Sequence, residues 1–434
     1  MASVTSLLTD HYELTMVEAA LAAGTAQRRS VFEVFARRLP EGRRYGLLAG
    51  TGRVLEGLAA FRFSDAELGY LSDKNVVNEQ TLSWLADFRF SGTITGYAEG
   101  EVYFPGSPLL QVESSFAEAC ILETYLLSIL NFDTAVASAA SRMIAVADGR
   151  PCIEMGSRRA HEQAAVAAAR AAAIAGFTAT SNLEAGRSYG LSTTGTAAHS
   201  FTLLHDSERE AFEAQVATLG RGTSLLVDTY DVEQGVRTAV EVAGPELSAV
   251  RLDSGDLVDQ ARWVRELLDS LGNPNTRIIV TSDLDEYAIA ALRSAPVDAY
   301  GVGTKLVTGS GSPTAGMVYK LVSREGADGV WKNVAKAAAG KASVGGRKSA
   351  FRRLNERGRA TEEVVGVGVT PERDANDREL IVPLVVDGEL QPGFTGAEGV
   401  RRAVERRSAS IHELPGAAKQ MLRGEPVIPT VYVD

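Results

Sequence analysis

The sequence predicts an α/β protein in which repeated strand-helix units follow a region of mixed helices and strands. From residue 222 onward, short apolar segments end in acids, hydroxyls or glycines, and the first three lead into helical patterns. These segments are 224–231, 248–257, 277–286 and 297–309, spaced by about the length of a βαβ unit. The chain before residue 114 lacks this rhythm. With 434 residues, the chain has room for two domains, or for one large barrel with an added domain.

The composition is that of an ordinary globular protein with an acidic balance. Lys and Arg number 44 against 55 Asp and Glu, a net charge of −11, and the two signs are interspersed. This pattern argues against nucleic-acid binding, so a polyanionic ligand needs a local basic cluster. Cys120 and Cys152 are too few for a disulfide framework, which suits a reducing cytosol. The first residues lack a signal-peptide pattern and no eighteen consecutive residues are apolar, so we expect a cytoplasmic protein without a membrane-spanning helix.

The first part of the chain alternates between helical and strand patterns. Residues 6–23 predict a helix that Thr9 could cap and that Gly24 ends, because apolar residues repeat there at helical spacing. The other elements predicted in this part are a strand at 31–40, helices within 53–90, and two or three strands within 93–113.

Two further helices are predicted ahead of the repeated units. Ser115 opens one at 114–134, with Glu118 three residues later in the spacing of a capping box. An alanine-rich helix within 154–176 follows a Met-Gly-Ser-Arg-Arg loop and ends at Gly176. Two adjacent arginines at a helix start could bind an anion or pair with surface acids.

Beyond residue 320 the repeated units stop. The segment 333–353 is strand-like and basic, which fits either a solvated hairpin or a phosphate clamp. Its cations are Lys336, Lys341, Arg347 and Lys348. A hairpin is predicted at 379–392 with its turn at Asp387-Gly388, and a helix over 398–424.

The repeated units predict where a site lies. Parallel βα units bring ligand groups together at the carboxyl ends of their strands, so that face is the candidate active site. The side chains expected there are Asp228, Arg251, Asp253, Ser282, Asp283 and Thr304. Acid-rich strand ends suit a metal-chelated polyphosphate, and Gly301 and Gly303 with Thr304 offer open N–H groups to a phosphate.

The segment 192–201, STTGTAAHSF, contains His199, one of only five histidines. Small and hydroxylated residues before it let several hydroxyl and N–H groups converge on one oxyanion. An imidazole there could relay a proton or accept a phosphoryl group, or it could be an ordinary hydrogen-bonded loop histidine. The chain has no Walker A pattern, so a nucleotide would need another binding site.

Seven ordered motifs together resemble nicotinate phosphoribosyltransferase. They are LLTDHYELTM, EMGSRRA, TTGTAAHSF, RLDSGDL, VTSDLDE, YGVGTKLVTG and GKASVGGRKSAFR, and they cover about residues 7 to 353. The resemblance implies a type II phosphoribosyltransferase fold, with an irregular α/β barrel and an α+β domain made from both chain ends. It also implies that nicotinate and phosphoribosyl pyrophosphate give nicotinate mononucleotide and pyrophosphate, with ATP hydrolysis coupled to turnover.

The resemblance also implies roles for individual residues. His199 matches a histidine that ATP phosphorylates transiently, and Thr304 matches a contact to the ribose phosphate. The residues that match nicotinate contacts are Tyr12, Met155, Arg158, Thr196 and Arg251, with Tyr12 supplied by the neighbouring subunit of a homodimer. Where this chain has Met155, relatives often have Phe, and Gly345-Gly346 stands where they often have Pro-Gly. Asn182 stands near a position at which nicotinamide-using relatives often have an acid.

The chemistry assigns further groups to this site. Asp253 would favour the oxocarbenium-like sugar electrostatically, and Mg²⁺ held by water and strand-end acids would stabilise the leaving pyrophosphate. Gly301, Gly303 and Lys336 are the other groups that we expect at the phosphoribosyl pyrophosphate.

Other functions remain open from the sequence alone. The base could be nicotinamide or quinolinate. Quinolinate has two carboxylates, so its site should contain a larger cluster of cations than Arg158, Arg159 and Arg251. The protein could instead be a barrel lyase with Lys305 as a Schiff base, or a nucleotide-binding regulator. We expect the barrel at 116–332 and the second domain at 1–115 plus about 333–434.

Overall fold

The computed structural model describes residues 6–336 and 343–434, so Lys341 lies outside the described residues. The chain divides into two compact units, Met1–Ser138 with Ser312–Asp434, and Ala139–Gly311. These edges differ from the predicted ones, because 116–138 and 312–332 belong to the unit that contains both chain ends. The physical reason at the second edge is a strand at Met317–Glu325 that pairs antiparallel with the strand Arg29–Ala36.

The helices are numbered in chain order. They are α1 His11–Ala22, α2 Thr51–Ala60, α3 Asp65–Asp73, α4 Glu79–Ala86, α5 Phe116–Cys120, α6 Glu123–Val146, α7 Glu162–Ala175, α8 Leu183–Tyr189, α9 His199–Leu204, α10 Glu208–Leu219, α11 Val232–Ala243, α12 Leu257–Ser270, α13 Glu286–Leu292, α14 Thr304–Val307 and α15 Gly396–Glu413.

The strands follow the same convention. They are β1 Arg29–Ala36, β2 Gly46–Leu47, β3 Thr93–Tyr97, β4 Val102–Tyr103, β5 Leu110–Ser115, β6 Cys152–Glu154, β7 Ala179–Thr180, β8 Ser224–Leu226, β9 Ala249–Leu252, β10 Arg277–Val280, β11 Ala299–Val302, β12 Met317–Glu325, β13 Trp331–Asn333, β14 Lys348–Leu354, β15 Ala360–Val367, β16 Arg378–Glu379, β17 Ile381–Val386, β18 Glu389–Leu390 and β19 Thr430–Val433.

The unit formed by both chain ends is built on a seven-stranded sheet in the order β13-β12-β1-β5-β3-β17-β18, whose neighbouring strands are all antiparallel. A four-stranded sheet in the order β16-β14-β15-β19 lies in the same unit. Edge-to-face contacts join Phe61 to Phe63 and Phe88 in its core. The predicted hairpin turn is confirmed, since Asp387 and Gly388 both have positive φ, as a tight hairpin of this kind requires.

Three predicted helices in this unit differ at their ends. Helix α1 starts at His11 with Asp10 as its N-cap, and the Thr9 hydroxyl bonds to Glu13 instead. The helix predicted at 114–134 is two helices, although Ser115 does cap the first by accepting from the Glu118 N–H. The C-terminal helix ends at Glu413 because Pro415 follows it closely.

The segment Phe116–Val146 is long and apolar enough to cross a membrane by length and composition, and 61% of its apolar window is buried inside the protein. Leu122, Tyr125, Leu126 and Leu130 from this segment belong to the hydrophobic core of the first unit. Core packing therefore accounts for its apolar character.

The unit Ala139–Gly311 is built on a six-stranded sheet in the order β7-β6-β11-β10-β9-β8, in which every pairing is parallel. The sheet has open edges at β7 and β8 and does not close on itself. Helices α11, α12 and α13 follow β8, β9 and β10, which confirms the predicted βα rhythm. Helix α7 ends at Gly176, whose φ of 109° suits glycine, as the sequence predicts.

Candidate active site

A cleft of about 660 Å³ opens at the carboxyl ends of the parallel strands, entirely within the second unit. Residues at the carboxyl ends of five of the six parallel strands line it, together with the loop that leads to His199. The lining residues are Met155, Ser157, Arg158, Arg159, Ser181, Thr194, Gly195, Thr196, Ala197, Ala198, His199, Arg251, Asp253, Thr281, Ser282, Asp283, Gly301, Gly303 and Thr304. The predicted face of the sheet is therefore also the face that carries the cleft.

Most of the residues predicted for the site come together there. Those that line the cleft are His199, Asp253, Met155, Arg158, Thr196, Arg251, Gly301, Gly303 and Thr304. Tyr12 and Lys336 belong to the other unit, where both are exposed, and their part in the site stays a prediction. Lys305 is exposed and does not line the cleft, which removes the geometric basis of a Schiff-base lysine there.

His199 is oriented by a buried carboxylate. Its Nε2 lies 3.0 Å from Oδ1 of Asp228, whose side chain is only 1% exposed, whereas the imidazole is 39% exposed. The second Asp228 oxygen accepts from the Asp253 N–H and the Ser254 hydroxyl, each at 2.8 Å. With Nε2–H donating to Asp228, Nδ1 keeps its lone pair, as a nucleophilic imidazole requires. The sequence predicts Asp228 at a strand end, as found after β8, but does not indicate its contact with His199.

Arg251 leaves the end of β9 and reaches the loop before His199. Its Nη2 donates to the carbonyl of Ala197 at 3.0 Å. Burial lowers the pKa of the guanidinium, while Asp253 and Asp228 oppose that shift. The buried Nε of Arg251 has no hydrogen-bond partner in the described part of the chain. A largely buried cation with an unused donor is well suited to an anionic ligand.

Asp253 and its neighbours form the acidic side of the cleft. One Asp253 oxygen accepts a short hydrogen bond from the Thr281 hydroxyl, which fixes the carboxylate at the strand end. Ser282, which follows the adjacent strand β10, has a φ of 145°, a region that favours glycine. Such strain costs about 1–3 kcal/mol and is common at ligand sites. Asp283 follows it and also lines the cleft.

Glycine at 301 allows Met155 to lie close to the sheet. A Cβ at Gly301 would stand 2.7 Å from the Met155 sulfur and 2.5 Å from the Thr281 methyl. The thioether therefore occupies the space above Gly301, on the cleft wall where the resemblance expects an aromatic ring. A flexible, polarisable side chain packs there in its place.

Asn182 does not line the cleft. Its Oδ1 accepts the N–H of Ala185 and caps α8, and its Nδ2 donates to the Ser157 hydroxyl at 3.0 Å. The neighbouring Ser181 is the residue of this segment that lines the cleft. The amide of Asn182 is thus used within the protein.

Two cations of the predicted basic segment have structural partners. Lys348 is buried, and its ammonium lies 2.6 Å from a Glu33 oxygen while also donating to the carbonyls of Val344 and Gly346. Arg347 pairs with Glu113 and stacks on Trp331, with its guanidinium carbon 4.2 Å from the ring centre. Lys348 is therefore neither solvated nor available to a phosphate, whereas Arg347 is a solvent-exposed residue with a carboxylate partner.

The cleft does not contain a protein-built metal cage. Within residues 6–336 and 343–434, no group of three or more His, Cys, Asp or Glu is arranged to hold a metal ion. Asp253 and Asp283 supply carboxylates to the cleft, and Mg²⁺ bound to a polyphosphate needs only one or two carboxylates besides water. The residues present fit a cation that arrives with its phosphate ligand.

Solved structures share this fold over nearly the whole chain. The crystal structure of human nicotinic acid phosphoribosyltransferase matches with a TM-score of 0.83 and 25% identity, covering 98% of both chains. The nicotinate-nucleotide pyrophosphorylase of Pyrococcus furiosus matches with a TM-score of 0.77 and 25% identity, covering 94% of this chain and 96% of that one. The fold and the cleft define a type II phosphoribosyltransferase, as the sequence predicted.

Sequence comparisons narrow the class to one family. Residues 7–131 match the model of the nicotinate phosphoribosyltransferase N-terminal domain. A nicotinate phosphoribosyltransferase of Mycobacterium tuberculosis is 56% identical over 98% of this chain and 94% of its own length. The Bacillus subtilis nicotinate phosphoribosyltransferase is 38% identical over 81% of this chain and 74% of its own. The chain belongs to the nicotinate phosphoribosyltransferase family.

Proposed function

We propose that the protein transfers the phosphoribosyl group of 5-phosphoribosyl 1-diphosphate to nicotinate, forming nicotinate mononucleotide and diphosphate. The observation that carries this proposal is the cleft itself, which is lined both by the cations Arg158, Arg159 and Arg251 and by the carboxylates of Asp253 and Asp283. The relatives that match over most of the chain are named for this activity. The reaction forms a bond from the pyridine nitrogen to the anomeric carbon and breaks the bond from that carbon to diphosphate.

The base is held by its carboxylate and its ring. Arg251 and Arg158 give charge-assisted hydrogen bonds to the carboxylate, and the buried, unused Nε of Arg251 supports this assignment. Met155 packs against one face of the ring, and the Thr196 hydroxyl adds a polar contact. A second carboxylate, as in quinolinate, would find only Arg159 as a further arginine among the cleft-lining residues.

The sugar phosphate occupies the other end of the cleft. Gly303 and Thr304, which follow the end of β11 beside Gly301, offer backbone N–H groups to the 5-phosphate, and the family resemblance assigns Lys336 to the diphosphate. Asp253 lies at the strand end, where its charge favours the positive sugar as the leaving group departs. The contact with Thr281 holds that carboxylate in place.

Mg²⁺ is the cation that we propose for this site, with Asp253 and Asp283 as the groups that would hold it through water. When bound, it would neutralise charge that develops on the diphosphate. The carboxylates line the same cleft and no protein-built cage competes among the described residues.

We further propose that ATP phosphorylates His199 and that this couples ATP hydrolysis to transfer. The phosphoryl group would pass from ATP to Nδ1 of His199, releasing ADP, and later to water. The 3.0 Å contact between Nε2 and Asp228 supports this, since it leaves Nδ1 unprotonated and facing away from the carboxylate. The added negative charge would attract the arginines of the cleft and tighten it.

The cellular role follows from the reaction. Nicotinate mononucleotide is a pyridine nucleotide, so we place the enzyme in NAD biosynthesis by salvage of nicotinate, the Preiss-Handler route, in the cytosol. We also propose a homodimer in which Tyr12, 45% exposed on α1, covers the base in the cleft of the partner. Mixing Tyr12→Ala and His199→Ala subunits should then restore part of the activity that each lacks alone, and no restoration would count against the shared site.

A product assay with three bases tests the transfer. Purified protein is incubated with 5-phosphoribosyl 1-diphosphate, Mg²⁺ and nicotinate, nicotinamide or quinolinate, and the mononucleotides are separated by chromatography. Nicotinate mononucleotide should dominate. Preference for another base would refute the assignment of the base pocket, and absence of any mononucleotide would refute the transfer.

A further inference from the structure

A chain of hydrogen bonds lies directly beneath the cleft, outside the groups that the proposed reaction uses. It starts at Glu154, whose side chain accepts from the Gly156 N–H through one oxygen and from the Thr180 hydroxyl through the other. Thr180 in turn accepts from the Asn182 N–H at 2.9 Å, and the Asn182 amide donates to Ser157 at 3.0 Å. This series of hydrogen bonds therefore begins at Gly156 and ends at Ser157, both in the loop 155–159.

Glu154 is buried completely, yet it forms no ion pair with any residue that the structure describes. Burial raises the pKa of its carboxyl, while the Thr180 hydroxyl and the Gly156 N–H oppose that shift. Leaving a polar group of this kind in the interior costs free energy unless its hydrogen bonds are made. Its two partners are thus strongly constrained to stay in place.

Thr180 also joins the second loop of the cleft through its backbone. Its N–H donates to the carbonyl of Ser192, and its carbonyl accepts from the Thr194 N–H, both at 3.0 Å. The side chain of Thr180 therefore controls the loop 155–159, whereas its backbone holds the loop that leads to His199. Only the first connection depends on the hydroxyl.

Close packing makes the loop 155–159 sensitive to this anchor. A Cβ at Gly156 would stand 2.3 Å from a Val307 methyl and 3.2 Å from the Gly303 carbonyl oxygen. The loop backbone is thus pressed against the end of β11, and it cannot shift toward the sheet. A loop that loses the anchor is therefore free to shift away from this packing, toward the cleft.

We propose that Glu154, Thr180 and Asn182 are positioning residues that set the loop 155–159 against the base and so determine the affinity for nicotinate. The inference rests on the proposed function for its ligand. Met155 and Arg158 extend from this loop into the cleft, so a displacement of about 1 Å would misalign both contacts at once. The 5-phosphate loop at Gly303 and Thr304 and the His199–Asp228 pair lie outside the hydrogen-bond chain.

The test compares three threonine variants that differ in what they remove. Thr180→Val removes the hydroxyl and keeps the shape, whereas Thr180→Ser keeps the hydroxyl. Thr276→Val is the matched control: Thr276 is also buried in this unit and makes two side-chain hydrogen bonds, but it precedes β10 and does not line the cleft. Steady-state KM and kcat are measured for nicotinate and for 5-phosphoribosyl 1-diphosphate, together with the melting temperature.

Thr180→Val should raise the KM for nicotinate about tenfold, the scale expected for one lost hydrogen bond to a charged group. The KM for 5-phosphoribosyl 1-diphosphate should change less than about twofold, a range within the scatter of near-neutral substitutions. Thr180→Ser should restore the wild-type KM, and Thr276→Val should lower the melting temperature without changing either KM. Equal rises in both KM values, or the same rise in Thr276→Val, would overturn the inference.

Amide hydrogen exchange separates failure of this inference from failure of the proposed function. The Gly156 N–H should exchange faster in Thr180→Val than in Thr276→Val, whether or not the protein uses nicotinate. If the wild-type protein makes no mononucleotide but this difference appears, the positioning chain stands and the ligand is wrong. If exchange at Gly156 is the same in both variants, the positioning role is refuted.

Discussion

Replacing Asp228 with asparagine should uncouple ATP from base transfer while leaving transfer itself largely intact. Asparagine has nearly the same shape, and its carbonyl oxygen can still accept from the Asp253 N–H and the Ser254 hydroxyl. Its amino group then faces Nε2 of His199. Since two donors cannot pair, the imidazole must place its proton on Nδ1, the nitrogen that would attack ATP.

The size of the effect follows from the contact that is lost. The Asp228 side chain is 1% exposed and meets His199 at 3.0 Å, so its hydrogen bond is charge-assisted and little screened. Such a bond contributes about 1.5–3 kcal/mol, which corresponds to a roughly 10- to 150-fold loss in the phosphorylation of His199. A loss at the upper end of this range is expected if phosphorylation requires the tautomer of His199 with its proton on Nε2. Enzymes whose histidine is oriented by a carboxylate show the same dependence.

The assay measures ADP and nicotinate mononucleotide in the same reaction. Asp231→Asn is the matched control, because it removes the same charge from the same loop, keeps the N-cap of α11 and leaves His199 untouched. Asp231→Asn should retain ATP-stimulated turnover, whereas Asp228→Asn should retain only the ATP-independent rate. Equal ATP stimulation in the two variants would refute the orienting role of Asp228.

Three further predictions concern the cleft and the stability of the protein. Arg251→Lys should raise the KM for nicotinate about tenfold or more, because lysine keeps the charge but loses the paired donors, and unchanged kinetics would exclude this contact. Burial, with Asp231 and Asp228 nearby, raises the pKa of Glu208 to about 7, so the folded state should lose stability relative to Glu208→Gln as the pH rises from 4.5 through 7. After discounting for solvent screening, the change in unfolding free energy relative to Glu208→Gln is about 1 kcal/mol. Melting temperatures of the wild type and of Glu208→Gln that change in parallel with pH would contradict this prediction. Burial raises the pKa of both cysteine thiols to about 12, so neither should react with a thiol reagent at neutral pH until the protein unfolds.

The position of the cleft was predictable because it follows from a rule of connectivity. Parallel βα units place the residues after each strand on one edge, and Arg251, Asp253 and Thr304 were found there for that reason. Helix and turn ends were predictable where a glycine supplies a positive φ, as at Gly176 and Gly388.

The order of the strands was not predictable from local patterns. Strands β6 and β7 have three and two residues, too few to show a period, yet β6 pairs with β11 and brings Met155 beside Gly301. The contact of His199 with Asp228 joins residues 29 positions apart, and nothing in either segment indicates it.

The burial of charged side chains also could not be predicted from the sequence. Arg352 is completely buried and pairs with Glu101, Glu363 and Glu413, which come from widely separated parts of the chain. A charged residue in a basic segment is usually solvated, so the sequence favoured a surface role for this region. Only the fold brings the compensating carboxylates together.

The most direct test of the account is the ratio of ADP to nicotinate mononucleotide formed by the wild-type protein and by His199→Ala. We expect a fixed ratio near one in the wild type, because each phosphorylation of His199 accompanies one transfer. In His199→Ala, mononucleotide should still form slowly and ADP should not. ATP-stimulated turnover that persists in His199→Ala would contradict the central role assigned to this histidine.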